Sequence, residues 1–453
     1  MLGDDTPHLT ALARDGSSAP IRAITPAVTC SAQATFLTGT LPRDHGIVGN
    51  GWYFRDLAQV LFWRQANQLV SGEKVWETAR RRHASCTCAK LFWWFNMYST
   101  ADWSATPRPI YPADGRKIPD IYTHPASLRE RLTTELGEFP FFNFWGPNAD
   151  IRSSRWIAEA SAAVDRWHAP TLLFVYLPHL DYNLQRRGPS DPSVREDIRA
   201  IDAVCGTLIA ALRARGRRII VLSEYGLVPV REPVHINRIL RQAGLLAVRD
   251  ELGTEALDAG ASEAFAVADH QIAHVYVRGA ARVAAVKSLL AQVRGIESVL
   301  DRREQAAIGL DHERSGELVA IANSDRWFTY YYWLDDRVAP DFARTVDIHR
   351  KPGYDPAELF LDPSLTAPKL RIAATLAKKA LGFRYLLEVI PLDASLVRGS
   401  HGRVTDRLDD GSIVISSERH SVCEPLEATA VRDLILAHVF DRVPRGHVPA
   451  TTR

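Results

Sequence analysis

Thr25-Pro-Ala-Val-Thr29-Cys-Ser-Ala-Gln33-Ala-Thr-Phe-Leu-Thr38-Gly39, followed by Pro42-Arg-Asp-His45-Gly-Ile-Val-Gly-Asn50, is the stretch on which the fold turns. An extended run from Ala19 to Thr25 leads into a short helix with a hydroxyl residue, Thr29, at its start. The first amides of a helix have no intrahelical acceptor and carry the positive end of the dipole, so they attract anions such as phosphate. A threonine at that point can attack phosphorus once its proton is drawn off. Gly39 stops the helix, and a His-Gly turn ending in Asn50 follows.

Strand and helix signals alternate outward from this segment. Lys74 to Arg82 reads as a helix, Ala84 to Phe95 as extended, and Thr171 to Leu177 as a strand buried on both faces. Pro192 to Arg215 carries apolar residues at helical spacing, and Arg218 to Ser223 is a second apolar strand. This alternation predicts an α/β fold with a largely parallel sheet, whose ligands bind beyond the carboxyl ends of the strands. From Val230 the pattern changes. A helix over Pro233 to Ala243, strands at 265–267 and 272–277, a helix over 280–293 and a further run at 317–322 suggest an inserted subdomain. The expected division is 1–230 as the first part of the core, 231–394 as a cap shaping the substrate pocket, and 395–453 as the return to the core. That return contains a strand at 412–416 and a helix over 430–440. The aromatic run Trp327 to Trp333 is expected to pack in a core, and the polar loop Asp347 to Glu358 to lie at a pocket mouth.

The ordered series from Thr29 to Asn50 resembles the nucleotide pyrophosphatase/phosphodiesterase branch of the alkaline phosphatase superfamily. The resemblance implies a three-layer α/β/α sandwich, Thr29 as nucleophile, and two divalent metal ions. Three further motifs can be matched to it. Asp181-Tyr-Asn-Leu-Gln185-Arg-Arg-Gly188-Pro189 keeps the Asp and the Gly-Pro of the family pattern but has Gln185 in place of a histidine. Ser223-Glu224-Tyr225-Gly226 has Glu and Tyr where the family has Asp and His, and Gly399-Ser400-His401-Gly402 is intact. Asp181, Gln185 and His401 would thus form one metal site, and Thr29, Glu224 and Tyr225 the other. This set is rich in oxygen and suits Mg²⁺ or Mn²⁺ as well as Zn²⁺. The family's phosphate-binding Asn, three residues after the nucleophile, is Ala32 here, so Gln33 beside it is the expected substitute donor. His349 and Lys351 are further candidates for substrate binding. His179 would share the face of Asp181 if the strand continued that far, and His235, His270 and His274 are lesser candidates.

The resemblance implies metal-dependent hydrolysis of phosphodiester or pyrophosphate bonds through a phospho-threonine intermediate. The replaced histidines leave a second reading, a catalytically impaired pseudo-enzyme that binds an anionic or nucleotide ligand. The chain opens directly on a capped helix, Thr6-Pro7 to Gly16, where the family has a preceding strand that ends in an Asp ligand. Met1 and Met97 are the only methionines. The expected explanation is a start at an internal methionine, which would leave the polypeptide inactive or poorly folded.

Composition narrows the classes. The 453 residues are 46% hydrophobic and 24% charged, with a net charge of +2, which gives no electrostatic footprint for nucleic acid. The expected partner is a small phosphate ester. No apolar run has transmembrane length, and five cysteines without metal-site spacing fit a reducing compartment, so the expected location is cytoplasmic. Oligomeric state is left open.

Overall fold

A computed structural model describes residues 2–113, 117–366 and 386–440, together with residues 373 and 377. Two four-stranded sheets form the core. In the first, strand Ser17–Arg22 lies between Leu426–Glu427, which runs parallel to it, and Ser412–Ser416, which runs antiparallel; Ile220–Leu222 follows as the far edge. In the second, Cys88–Leu91 runs parallel to both Leu172–Val175 and Trp103–Pro107, and Ile121–His124 closes it antiparallel. The strands are therefore of mixed direction.

The layering follows from the period of two along a strand, which sends neighbouring side chains to opposite faces. Leu172, Phe174 and Val414 pack with helices Thr29–Thr38, Val75–Arg82 and Val431–Phe440. Their neighbours Leu173, Val175, Ile413 and Ile415 pack on the other side with helices Pro7–Asp15, Ile151–His168 and Val194–Arg213. The result is an α/β/α sandwich. The strand at 172–175 buries only alternate residues fully, and the strand at 220–222 none, which is less burial than their unbroken apolar runs suggest.

Residues 264–322 build a separate antiparallel sheet, in the order Ala264–Asp269, Ile272–Val277, Leu318–Ala322, Ile296–Leu300, with helix Ala280–Ala291 against it. Its core takes in Trp327, Phe328 and Tyr330 to Trp333, all nearly inaccessible. The aromatic run therefore packs inside. Only Arg326–Phe328 is strand, paired with Glu232–Val234, a short strand that precedes helix Ile236–Gln242.

One local expectation fails. Asp181 lies on helix His179–Arg187 and not on an extension of the strand, because the backbone turns at Pro178. A spacing of two is then no longer one face, whereas Asp181 and Gln185, four apart, are neighbours. His179 accordingly points away and meets the Asp197 carboxylate at 3.2 Å.

Candidate active site

Helix Thr29–Thr38 is buried at all ten residues, which its small side chains Cys30, Ser31, Ala32 and Ala34 permit. Val28 stands before it in extended conformation and supplies no side-chain cap. Gly39 ends it with φ of 70°, a left-handed conformation that glycine adopts without strain. The turn after it anchors the helix start. The Asn50 side-chain carbonyl accepts from the Cys30 amide at 3.0 Å. Asn50 is held in turn by Asp269, whose carboxylate accepts from the Asn50 backbone N–H at 2.7 Å and from Nδ2 at 3.1 Å. His45 is structural. Its Nδ1 accepts from the Ile47 amide at 3.1 Å, so Nε2 carries the proton and donates to Thr35 Oγ1 at 3.0 Å.

Thr29, at the start of its helix, lines a pocket. The core contributes Tyr176, Asp181 and Tyr225 to the lining, and the 231–394 segment contributes His270, Ile348 and Tyr354. Trp63, Trp94 and Trp145 complete an aromatic wall.

Thr29 Oγ1 is 3.0 Å from the Tyr225 hydroxyl, which donates to the Asp181 carboxylate at 2.9 and 3.1 Å to its two oxygens. Tyr176 presents a second phenol to the pocket that Thr29 lines. Tyr225 lies flat on the His401 imidazole, with ring centroids 3.6 Å apart and planes 5° from parallel. His401 is oriented by Nδ1, which donates to the Ala27 carbonyl at 2.9 Å, and its other side meets His270 at 3.6 Å between centroids. Gln33 ties the helix to the neighbouring motif: Nε2 donates to Glu224 at 2.9 Å, and Oε1 accepts from the Trp94 amide at 2.8 Å. Gln185 accepts from the Tyr354 hydroxyl at 3.0 Å. Gly226 follows Tyr225 because a Cβ there would come within 1.9 Å of the Asp410 carbonyl oxygen.

Electrostatics are set by burial with few compensating cations. Burial lifts the Asp181 carboxyl to about 7, opposed by the Tyr225 hydrogen bond and assisted by Glu224. Asp269 is raised to about 7 by burial, and Glu224 is raised for the same reason. Burial also drives His401 down to about 3 and His270 well below its ordinary value, so both imidazoles are neutral. Among the described residues, no Lys or Arg forms an ion pair with Asp181, Glu224 or Asp269.

Thr29, Asp181, Tyr225 and His401 therefore come together in one hydrogen-bonded and stacked group; Gln185 joins it through Tyr354 and His270, while Gln33 and Glu224 form a separate pair next to Tyr225 in the chain. Two other candidates lie apart from it. Lys351 is fully buried in ion pairs with Asp355 at 2.6 Å and Glu358 at 2.8 Å. His349 is half-buried beside the Phe62 backbone, its imidazole held at about 4 mainly by burial. His235 bonds Thr329 at 2.8 Å, and His274 bonds the Val48 carbonyl at 2.9 Å. Tyr176, Tyr354 and Asp269 were not singled out from sequence. Tyr354 at least lay in the polar loop expected at the pocket mouth, and that loop does supply lining residues.

The donors as placed do not fit the pair of divalent ions that the resemblance implied. Among the described residues, no three His, Cys, Asp or Glu side chains are grouped to hold a metal ion. Gln185 is committed to Tyr354, and the Tyr225 phenol fills the space between Thr29 and Asp181.

An α/β/α sandwich with a threonine-headed helix under a sheet-edge pocket defines an alkaline phosphatase-like protein. A profile of the type I phosphodiesterase / nucleotide pyrophosphatase family matches residues 1–355, and the chain belongs to that family. An uncharacterized pyrophosphatase/phosphodiesterase of Schizosaccharomyces pombe is 26% identical over 247 residues, 52% of this chain; the chain spans 42% of that relative's length. Phosphonoacetate hydrolase from Sinorhizobium meliloti, in complex with phosphonoformate, superposes with a TM-score of 0.59 at 12% identity, covering 96% of this chain and 90% of the hydrolase. Murine ectonucleotide pyrophosphatase / phosphodiesterase 5, an inactive form in complex with AMP, gives 0.54 at 14% identity, covering 96% and 89%. No described helix is long and apolar enough to cross a membrane.

Proposed function

We propose that this protein hydrolyses phosphodiester or pyrophosphate bonds, with Thr29 attacking phosphorus to give a phospho-threonine intermediate. The observation that carries the reading is the position of Thr29. It opens a buried helix and lines a pocket, with its hydroxyl hydrogen-bonded to the Tyr225 phenol, which in turn donates to a carboxylate. The helix N-terminus favours the phosphoryl group, and the Tyr176 phenol lines the same pocket. Membership of a phosphodiesterase family agrees with a hydrolase, and it lends no support to a role confined to binding. The 231–394 segment acts as the cap in this reading. His270, Ile348 and Tyr354 reach the pocket from it, and with Trp63, Trp94 and Trp145 they offer an apolar seat for the ester group.

The test is turnover of bis-p-nitrophenyl phosphate by the full chain and by Thr29→Ala, with acid quenching and peptide mass spectrometry. The expected result is a phosphoryl adduct on Thr29 and loss of turnover in the variant. Undiminished turnover without Thr29 overturns the reading.

A further inference from the structure

We propose that Thr29 is activated by a proton relay made of the chain's own side chains, Thr29 to Tyr225 to Asp181, which occupies the place of a metal ion. The proposal deepens the hydrolase reading above and rests on it.

Hydrogen-bond direction leads to it. A phenol has one proton, and the Tyr225 proton is directed at Asp181, nearly equidistant from both carboxylate oxygens. The 3.0 Å contact with Thr29 must then run the other way, with Thr29 donating to the Tyr225 oxygen. The nucleophile's proton thus already points along a two-step path to a carboxylate. Tyr225 is fixed for this task. Its ring rests on His401, which is pinned to the Ala27 carbonyl, and Ala27 in turn donates its own amide to the Gly402 carbonyl at 2.9 Å. The spacing between Thr29 and Tyr225 is therefore set by one short backbone pairing, Ala27 with Gly402, and one stacked ring pair. The second carboxylate, Glu224, is taken up by Gln33 and does not compete for Thr29.

The step balances without a co-reactant. The Thr29 Oγ–P bond forms as the bond from phosphorus to the leaving oxygen breaks. The Thr29 proton moves to the Tyr225 oxygen while the Tyr225 proton moves to Asp181, and the leaving group departs with its bonding electron pair. In the second half water attacks phosphorus, the Oγ–P bond breaks, Thr29 recovers a proton through Tyr225 from Asp181, and the proton that water gives up passes through solvent to the departed leaving oxygen. Tyr225 touches the reacting oxygen and is a catalytic residue; His401 is a positioning residue.

The experiment uses the full chain, dialysed against EDTA, with metal content measured by plasma mass spectrometry. Turnover and phospho-threonine formation are followed before and after addition of Zn²⁺, Mg²⁺ or Mn²⁺. The relay predicts turnover within about threefold of the undialysed protein at sub-stoichiometric metal. Tyr225→Phe should lose on the order of 10²–10⁴-fold in kcat, the range of general-base catalysis. Asp181→Asn should lose a similar factor, and the double variant no more than either alone, because both act on one proton. A merely structural role would give additive losses. Thermal melts identify a variant that fails to fold, in which case the remaining single variant carries the test. Turnover lost on dialysis and restored by metal, or Tyr225→Phe within threefold of the parent, overturns the relay while Thr29 dependence stands. A parent chain that forms no adduct under any metal condition overturns both the relay and the hydrolase reading.

Discussion

Around Lys351 two carboxylates are buried with a cation between them; around Thr29 one buried carboxylate, Asp269, and two half-buried ones, Asp181 and Glu224, have no cation paired to any among the described residues. The first group is closed. Lys351 satisfies Asp355 and Glu358, Glu358 accepts from the Trp145 indole at 2.5 Å and from the Asp347 amide at 3.0 Å, and nothing is left to react. The second group is satisfied only by neutral donors: a phenol on Asp181, an amide side chain on Glu224, and Asn50 on Asp269. Buried carboxylates held by neutral donors keep raised proton affinity, and this is the state that suits proton transfer. Paired charge holds the wall of the pocket, and unpaired charge serves its floor.

Substitutions on the two sides should therefore fail in different currencies. The largest effect is expected at the floor: Thr29→Ala should lower turnover by about 10³-fold or more and leave the thermal midpoint nearly unchanged, as read by paired kinetics and melting. A variant that melts early as well would break the contrast. On the other side, Lys351→Met leaves Asp355 and Glu358 buried without a cation and should cost about 3–5 kcal/mol of stability, measured by denaturant unfolding. A loss below about 1 kcal/mol would mean that this pair behaves like an exposed one. Next in size, Gly226→Ala forces the chain away from the Asp410 carbonyl at a cost of about 1–3 kcal/mol, typical of overpacking. It should also carry Tyr225 off Thr29, so turnover falls more than stability alone explains.

The floor group should also show itself in pH dependence. Asp181 and Asp269 are each raised to about 7 by burial, against an unfolded value near ~3.9. Between those values the folded protein binds more protons than the unfolded chain. Stability therefore falls as pH rises through that window and levels off above about 7. Asp181→Asn should flatten part of this fall in thermal midpoints recorded from pH 4 to pH 8. An unchanged slope would remove Asp181 from the unpaired group.

Much of this architecture is legible along the chain. The Thr29 helix, its Gly39 stop, the helices at 75–82, 194–213 and 431–440, and the strands at 172–175, 264–269, 272–277 and 412–416 all follow from periodicity and end signals that operate within a few residues. The order of the motifs was enough to point to the family. Mixed strand direction was not legible, because an apolar run carries no record of which way its neighbours travel. The turn at Pro178 was missed for a related reason: a strand and a short helix can share the same few apolar residues, and the choice redirected His179 to Asp197.

Sequence alone determined which side chains could do chemistry: a threonine at a helix start, carboxylates at 181 and 224, a tyrosine at 225 and a histidine at 401. Tertiary structure decided what each is attached to. The Thr29–Tyr225 contact spans 196 positions, Tyr354–Gln185 spans 169, and His401–Ala27 spans 374. A hydrogen bond is directional and acts over about 3 Å, so its partner is set by where the sheets and the 231–394 segment place the backbone. Residue type fixes the number of protons to give and lone pairs to fill. Only the fold says that the Tyr225 proton goes to Asp181, and that Lys351, a candidate for substrate binding by its type, spends its charge inside a wall.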